Sequence, residues 1–201
     1  MRPLQPGILA MAAVVTASNI LVQFLFGDWL TWGAFTYPLA FLVTDLTTRR
    51  HGAAAGRKVV FAGFLIGVAC SFVAAGLDAT TLRIALGSGI AFLTAQLLDV
   101  AVFERLRGGA WWRAPLVSSL IGSTVDTALF FTIAFSAALV WIEPAGDVAW
   151  ANEALPLLGL GPLAPLWVSL AVADWGVKLA LALAALLPFR LISRRHPQQT
   201  A

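Results

Sequence analysis

Six long apolar stretches constrain this chain more than any other feature of its sequence. Each is about 20 residues long or slightly longer, enough for a helix to cross a hydrocarbon core of ~30 Å. Hydrophobic residues make up 60% of the 201 residues and charged residues only 11%, against roughly 25% charged residues in an average soluble domain. The sequence therefore predicts an all-α membrane protein, a single six-transmembrane-helix bundle over residues 1–201. The predicted spans are 8–26, 31–48, 58–77, 81–104, 114–141 and 165–190.

The distribution of Lys and Arg predicts the orientation of the bundle. Basic residues near the span ends fall on one side, and an excess of positive charge marks the cytoplasmic side of a membrane protein. Both termini are then cytoplasmic, as an even number of spans requires, and residues 191–201 form a basic cytoplasmic tail. The basic residues of this side are Arg2, Arg49, Arg50, Arg57, Lys58, Arg105, Arg107, Arg113, Arg190, Arg194 and Arg195.

The connection 142–164 is the longest between two predicted spans. Proline and glycine recur along it, and these residues mark turns rather than a further helix. We interpret it as a turn-rich external loop. A solvated linker and a lid over the bundle are the alternative roles. The turn residues are Pro144, Gly146, Pro156, Gly159, Gly161 and Pro162.

Five charged residues interrupt the apolar stretches: Asp45, Asp99, Asp126, Asp174 and Lys178. A charged side chain at the centre of a membrane helix costs roughly 2.5–3.5 kcal/mol on insertion scales, so such residues usually face a cavity or a partner. No basic residue lies within one turn of Asp126, and burial strongly disfavours an unpaired carboxylate. We therefore expect a polar site inside the bundle, with Asp99 and Asp126 as its foremost ligand contacts.

Polar residues recur at helical spacing on four of the predicted helices. Residues three or four apart share a helix face, and lipid satisfies none of these polar groups. We expect the four polar stripes to converge on one cavity. They are Asn19 and Gln23 on the first helix, Gln96 and Asp99 on the fourth, Ser119, Ser123 and Asp126 on the fifth, and Asp174 and Lys178 on the sixth.

The charged residues also have structural interpretations. Asp174 and Lys178 are i, i+4 neighbours in the favourable acid-before-base order, so they can simply neutralise each other. Lys178 can instead reach Asp99 or Asp126 across the bundle. Asp45 lies one turn before Arg49, and an ion pair at the cytoplasmic boundary is the alternative to ligand binding.

The uncharged polar residues allow the same two interpretations. Ser119 and Ser123 suit close packing between helices, and Asn19 and Gln23 suit interhelical hydrogen bonds. Tyr37-Pro38 stands inside the second predicted span, where proline removes a backbone hydrogen bond and kinks the helix. Irregular packing is one reading of that kink, and a cavity wall faced by the Tyr37 ring is the other.

Four segments of the sequence carry a resemblance to a known family. They are SNILVQFLFGDWLTWGAFTYPLAFLVTDLTTR (18–49), AFLTAQLLDVAVFERLR (91–107), WWRAPLVSSLIGSTVDTALFFTIAF (111–135) and DWGVKL (174–179). These segments resemble the queuosine precursor transporter family, which is also grouped with the vitamin uptake transporters. The resemblance covers most of residues 18–190, includes the intramembrane acids, and departs around 76–83 and in the external loop. It implies a multi-pass protein of the bacterial inner membrane that imports cyano- and aminomethyl-deazaguanine bases, precursors of a modified tRNA base.

The implied ligand suggests roles for the polar residues. A deazaguanine presents a ring N–H beside an exocyclic amino group, and one carboxylate accepts both. An aminomethyl cation needs a second carboxylate, which accounts for several acids. The expected contacts are Asp126 or Asp99 with the donor pair, Gln96, Asn19 or Gln23 with the ring carbonyl, and Trp175, Phe130 or Tyr37 stacked on the flat face, with Asp174, Lys178 and Asp45 completing the site.

Other function classes fit the sequence less well. His51 and His196 stand in predicted cytoplasmic segments away from the buried serines, and a Ser123–Lys178 pair has no local signature, so we expect no enzyme. The basic residues form no continuous patch for nucleic acid. We expect no cofactor, and the expected partners are a purine-like base and the lipid bilayer. An oligomer stays open, as does the choice between proton-coupled and facilitated transport.

The sequence also fits one alternative function. The chain has no Gly-x4-Gly-Lys-Ser/Thr phosphate-binding loop of its own. A substrate-binding membrane subunit that needs an energising ATPase partner is therefore the second hypothesis.

Overall fold

The computed structural model describes residues 4–195, and helices account for most of this range. The helices are α1 (Gln5–Leu21), α2 (Gly33–Thr36), α3 (Leu39–His51), α4 (Ala53–Gly76), α5 (Leu82–Leu106), α6 (Arg113–Phe135) and α7 (Leu166–Arg195). Two small antiparallel hairpins pair β1 (Leu25–Phe26) with β2 (Leu30–Thr31) and β3 (Ala154–Pro156) with β4 (Leu163–Pro165). Short 3-10 helices cover Ala137–Ile142, Trp150–Asn152 and Leu157–Gly159.

Four helices of the described range, α4 to α7, are long and apolar enough to cross a membrane. Their outward faces carry large apolar side chains that nothing in the fold covers, such as Phe72 at 76% and Leu65 at 66% exposure on α4. On α7, Leu187 is 65% exposed. Lipid tails solvate such a surface, whereas water does not. The chain is a multi-pass, all-α membrane protein, as the composition predicts.

The first two predicted spans differ from the helices observed. The span expected over 8–26 ends at Leu21, where the chain turns into the β1–β2 hairpin. Helix α1 has 17 residues and is about 26 Å long at 1.5 Å per residue, short of a ~30 Å hydrocarbon core. The span expected over 31–48 is divided into α2 and α3 at Tyr37-Pro38. The kink expected there is a full interruption, because Pro38 has no N–H to continue the helical ladder.

Helix α1 lies along α4 and runs in the same direction. A side chain added at Gly63 would meet Met11, and one added at Gly67 would meet Val15, so the contact advances by four residues on both helices. Met11 and Val15 are buried in the larger apolar cluster, which also contains Val59. The lack of a side chain at Gly63 lets the two helices approach closely.

Helices α5 and α6 form the most extensive helix contact and run antiparallel. Gly87 lies opposite Ala134, and Gly122 lies opposite Ala95. Helix α3 joins them at Gly122, where an added Cβ would lie only 2.7 Å from a ring carbon of Phe41 and 3.3 Å from the Ala95 carbonyl oxygen. Three helices therefore meet around one glycine.

The basic residues gather at one end of the bundle. Leu4, Arg49, His51 and Ser193 line one cleft there, which brings the two described ends of the chain together. Arg49 Nη1 also donates to the carbonyl oxygen of Arg107 at 3.3 Å. Helices α1, α4 and α6 begin at this end, and α3, α5 and α7 end at it. We call it the basic end.

A buried arginine ties the opposite ends of α5 and α6 together. Arg83 is 1% exposed, and its guanidinium donates to the carbonyl oxygens of Ile133 at 2.9 Å and Ser136 at 2.7 Å. The Glu143 carboxylate accepts from the backbone N–H groups of Leu82 at 3.2 Å and Arg83 at 3.1 Å. Arg83 thus satisfies carbonyls at the end of α6, and Glu143 satisfies N–H groups at the start of α5. We call these contacts the Arg83–Glu143 clasp.

The loop 142–164 is folded rather than loose. The Asn152 amide donates to the carbonyl oxygens of Phe135 and Val148 at 2.8 Å each and accepts from the Ala137 N–H at 3.1 Å. Ala151 is fully buried. These contacts fasten part of the loop to the end of α6, while much of the rest of the loop is exposed.

Candidate functional site

A buried lysine bridges α6 and α7 in the middle of the bundle. Lys178 is 4% exposed, and its Nζ donates to Asp126 Oδ2 at 2.7 Å and to Thr127 Oγ1 at 3.0 Å. The same Nζ forms an ion pair with Asp174, one turn back on α7. The Thr127 hydroxyl in turn donates to Asp174 Oδ2 at 2.9 Å. We call these four residues the Lys178 cluster.

The cluster has more acid than base. With its groups ionised, one ammonium faces two carboxylates, which leaves one negative charge inside the bundle. Lys178 pairs with Asp174 on its own helix and with Asp126 on α6. Two of the contacts that the sequence allowed as alternatives therefore occur at the same time. Among the described residues, Lys178 forms no ion pair with Asp99, the other acid that it was expected to reach.

Tyr37 closes one side of the Lys178 cluster. The interruption between α2 and α3 turns its ring toward the cluster, and the hydroxyl donates to Asp126 Oδ1 at 3.5 Å, a long hydrogen bond. Lys178 Nζ lies 5.7 Å from the centre of the Tyr37 ring, within the ≈ 6 Å of a cation–π contact. Phe92 supports the ring edge-on at 6.0 Å. The kinked segment thus faces the site.

Asp45 lies in a second polar cluster, and the boundary ion pair with Arg49 was the wrong alternative. Asp45 is 2% exposed and accepts hydrogen bonds from Ser118 at 3.2 Å and Ser119 at 3.4 Å. The Arg49 guanidinium turns away toward a backbone carbonyl. Phe41 of α3 packs against Gly122 of α6. One turn further along α3, Asp45 therefore faces α6 and the interior of the bundle.

Asp99 on α5 lies against Asp45. The two carboxyls lie side by side, with the Ser118 hydroxyl beside both of them. Asp99 is fully buried, and neither of its oxygens completes a hydrogen bond with the described residues, since Ser118 donates to Asp45. We call Asp45 and Asp99 the aspartate pair.

Gln96 lies one turn before Asp99 and is also fully buried. Its Oε1 accepts from the Thr44 hydroxyl at 2.6 Å. Its Nε2 is buried and has no partner among the described residues. A free amide donor therefore stands beside the aspartate pair.

One narrow cavity connects the two clusters. Residues of α3, α6 and α7 line it, and it has room for about one water molecule. This is far too small for a two-ring base, so the bundle is closed around its polar centre. The lining residues include Pro38, Asp45, Ser119, Ser123, Lys178 and Ala182.

The first helix does not contribute its polar stripe. Asn19 and Gln23 share no helix face, because α1 ends at Leu21 and Gln23 is exposed beyond it. The Asn19 amide donates to the Val15 carbonyl of its own helix at 2.9 Å. The expectation of convergence on one cavity was therefore wrong for these two residues.

Two aromatic residues also lie away from the cavity. Trp175 is 39% exposed, and its Nε1 donates to Thr124 Oγ1 at 3.0 Å on the outer side of α6 and α7. Phe130 packs edge-on against Phe131 at 5.0 Å and Phe135 at 5.9 Å. Of the three expected stacking residues, Tyr37 is the one that contacts the polar centre.

The sequence reasoning missed two hydroxyls that hold these clusters. Ser118 binds Asp45 and Thr44 binds Gln96. Ser118 precedes Asp126 by eight residues, which is close to two helical turns, so helical spacing contained a signal for it. Thr44 stands at i, i+3 and i+4 spacing with Thr47 and Thr48, so helical spacing contained a signal for it as well. The described residues contain no group of three or more His, Cys, Asp or Glu side chains that could hold a metal ion.

Comparison with known proteins connects this chain to membrane transporters. The family model described as "Putative vitamin uptake transporter" matches residues 31–192. The queuosine precursor transporter of Escherichia coli is 34% identical over 194 residues, covering 87% of this chain and 79% of that protein. The probable queuosine precursor transporters of Haemophilus influenzae (37% over 153 residues; 61% of this chain, 65% of that protein) and Bacillus subtilis (27% over 194 residues; 85% and 74%) are also similar. No solved structure matches the chain.

Proposed function

This chain belongs to the queuosine precursor transporter family of the vitamin uptake transporter group, and on that premise we propose that it imports queuosine precursors for salvage into tRNA modification. The family is one of transporters, so the protein is a transporter and not an enzyme. The comparisons give no support to the alternative of a binding subunit that needs an ATPase partner.

We propose six membrane crossings with both termini in the cytoplasm of a bacterium, in its inner membrane. Helices α4 to α7 supply four crossings. The alternating directions of α1, the α2–α3 segment and α4 to α7 support six, since successive elements begin and end at the basic end in turn. The β1–β2 hairpin extends the short α1, and the positive-inside rule puts the basic end in the cytoplasm.

The observation that carries the substrate proposal is the Lys178 cluster at the closed cavity. Asp126 Oδ2 holds the lysine, whereas Oδ1 has only the long contact with Tyr37. A base that enters the opened cavity offers a ring N–H and an exocyclic amino group in place of these donors. Asp126 then accepts both, and Lys178, released from Asp126, stays paired with Asp174 and can donate to the ring carbonyl.

The charge of the cluster fits both precursors. A cyano-substituted base is neutral and needs the donor and acceptor pattern alone. An aminomethyl-substituted base is a cation, and the one negative charge left by two carboxylates and one ammonium attracts it. Tyr37, on the interrupted helix, is the aromatic residue positioned to stack on the base as the cavity opens.

Uptake by an Asp126→Asn variant tests this proposal. In a bacterial host that lacks its own importer and its own precursor synthesis, supplied base should reach tRNA through the wild-type protein. The variant loses one acceptor of the donor pair, so we expect at least about a hundredfold less uptake of labelled base, the scale for a buried polar group left unpaired.

The matched control is Asp78→Asn, the same chemical change at an exposed position in the turn between α4 and α5. It should transport like the wild type at equal amounts in the membrane. Wild-type uptake by Asp126→Asn would refute the binding role of Asp126, and no uptake by the wild type would refute the proposed substrate.

A further inference from the structure

The aspartate pair is a second polar centre that the binding of a base leaves unexplained. Asp45 is 2% exposed and Asp99 is fully buried. Asp45 receives two serine hydroxyls, and Asp99 receives no donor from the described residues. A bare carboxylate in such a position is among the most costly arrangements a membrane protein can contain.

No cation of the described residues compensates the pair. Lys178 lines the same cavity as Asp45 but directs its Nζ to Asp126, Asp174 and Thr127. Arg49, one turn beyond Asp45 on α3, donates to the Arg107 carbonyl oxygen instead. On α4, which packs against α3 and α5, Arg57 and Lys58 are exposed and face away.

The remaining neighbours are no source of compensation either. Helix α1 carries no charged residue between Gln5 and Leu21. On α6, the residues that contact the pair are neutral serines, and its one acid, Asp126, is bound to Lys178. Two ionised carboxylates side by side would therefore repel each other without relief.

A single proton resolves both problems. Two carboxylates in contact have no hydrogen between them, so neither can donate to the other. A proton on one of them turns the contact into an O–H···O hydrogen bond, gives Asp99 the partner that it otherwise lacks, and leaves one negative charge for the Ser118 and Ser119 hydroxyls. Acids that share a site in this way hold one proton between them.

We propose that the aspartate pair is a proton-binding site, and that its proton is carried inward and released on the cytoplasmic side with each base that is imported. The step balances as one proton taken from outside and one delivered inside per base. This proposal rests on the proposed function, since it makes the transporter a proton symporter.

The shared cavity explains how the two sites can communicate. Asp45 and Lys178 line the same narrow space, which has room for about one water molecule. When the cavity opens to admit or release a base, water reaches Asp45 and solvates the ionised form of the pair. The loaded cavity closes with the proton bound, whereas the empty transporter returns with the pair ionised and solvated by the water that the cavity holds. Each cycle therefore moves one proton inward with one base. Ser123 lies between the two clusters on the same wall.

Transport by purified protein in lipid vesicles tests the proposal. With one proton per base, an inward gradient of one pH unit should raise the accumulation of labelled base about tenfold, because one pH unit corresponds to a tenfold ratio of proton activity. Asp99→Asn removes the shared proton site but leaves the Lys178 cluster intact. We expect accumulation of labelled base by this variant to be the same with and without the gradient, and a tenfold response retained by Asp99→Asn would overturn the proposal.

Exchange separates the two proposals. Absence of base exchange by the wild type would refute the proposed function. If the wild type exchanges base but accumulates the same amount with and without the proton gradient, the proton site alone is refuted. Stimulation by a sodium gradient instead would assign the oxygens of the pair to a metal ion. Asp78→Asn, which keeps the pair, should retain the full response.

Infrared spectroscopy keeps the proton site testable without transport. The purified wild-type protein at neutral pH should show the carbonyl stretch of a protonated carboxyl group, and Asp99→Asn should lack that band while Asp78→Asn retains it. An identical carboxyl band in the wild type and Asp99→Asn would overturn the assignment.

Discussion

Lys178 lies between Asp126 and Asp174, and its removal leaves two buried carboxylates without their cation. Buried ion pairs add little net stability, because desolvation offsets the attraction of the charges. Removing one member is different, since the charge left behind has no partner. At the centre of this bundle Lys178 is therefore a structural residue as well as the proposed contact for a base.

Lys178→Met should lower the free energy of unfolding by about 3–5 kcal/mol, the usual cost of breaking a buried pair from one side. Unfolding of the protein in detergent micelles, followed by helical circular dichroism, measures this change. The pair Lys178→Met and Asp126→Asn together should recover part of the lost stability, because one of the two stranded charges is gone.

The double variant should nevertheless stay inactive in uptake. Equal stability of Lys178→Met and the wild type would contradict the ion-pair role. A double variant that is less stable than Lys178→Met would show that the two side chains contribute independently rather than as a pair.

At the residue scale, the sequence identified the charged members of the site but not their grouping. Helical spacing is enough to place Asp174 beside Lys178, since both are on one helix. It cannot show that Asp45 contacts serines of α6, because that contact depends on how α3 crosses α6 at Gly122. The prediction that Asn19 and Gln23 share a helix face was wrong for a local reason, because α1 ends at Leu21, between them.

At the scale of the elements, a glycine sets the position of three helices. Gly122 has no side chain where α3, α5 and α6 meet, and the Phe41 ring occupies the space in front of it. This close approach is what brings Asp45 to the serines one turn before Gly122 on α6. Small residues serve the same purpose at many membrane helix interfaces.

Gly122→Ala should destabilise the fold by about 1–3 kcal/mol, because the added methyl group overlaps Phe41 and the surrounding helices must shift. Gly176→Ala is the matched control, the same change on a membrane helix at a position with open space around it. Thermal unfolding in detergent compares the two. Equal midpoints for both variants would contradict the role of Gly122 in helix spacing.

Element boundaries were the least predictable part of the fold. The first predicted span was too long. It included residues of the β1–β2 hairpin, because these residues are also apolar and hydropathy does not show where a helix ends. Proline gave a clear signal at Pro38 but not the extent of the interruption. The fifth span ends at Phe135 rather than at 141, because backbone at Ser136 leaves the helical conformation.

At the scale of the whole molecule, the apolar runs and the basic residues together carried most of the architecture. The class of protein follows from composition alone. Basic residues occur in every second connection along the chain. Because successive helices alternate in direction, these connections lie at the same end of the bundle.

Cysteine labelling tests the proposed orientation. In a Cys70→Ala background, Ala79→Cys lies in the exposed α4–α5 turn and Gly108→Cys in the exposed α5–α6 turn. A maleimide that cannot cross the membrane should label Ala79→Cys in intact spheroplasts and Gly108→Cys only after lysis. The reverse pattern would invert the topology, and labelling of both in intact spheroplasts would contradict an odd number of crossings between them.

The Arg83–Glu143 clasp has a consequence for the order in which the protein is made. Thr81 caps the Ile84 N–H locally, but Glu143 follows Arg83 by 60 residues. At roughly 5–20 residues per second the N–H groups of Leu82 and Arg83 therefore wait about 3–12 s for their acceptor during synthesis. The carbonyls of Ile133 and Ser136 reach Arg83 only slightly earlier. Until then water outside the membrane must solvate the arginine and the free N–H groups. Helices α5 and α6 are therefore completed as a pair, and a chain that stops at Phe135 leaves the first of them unfinished.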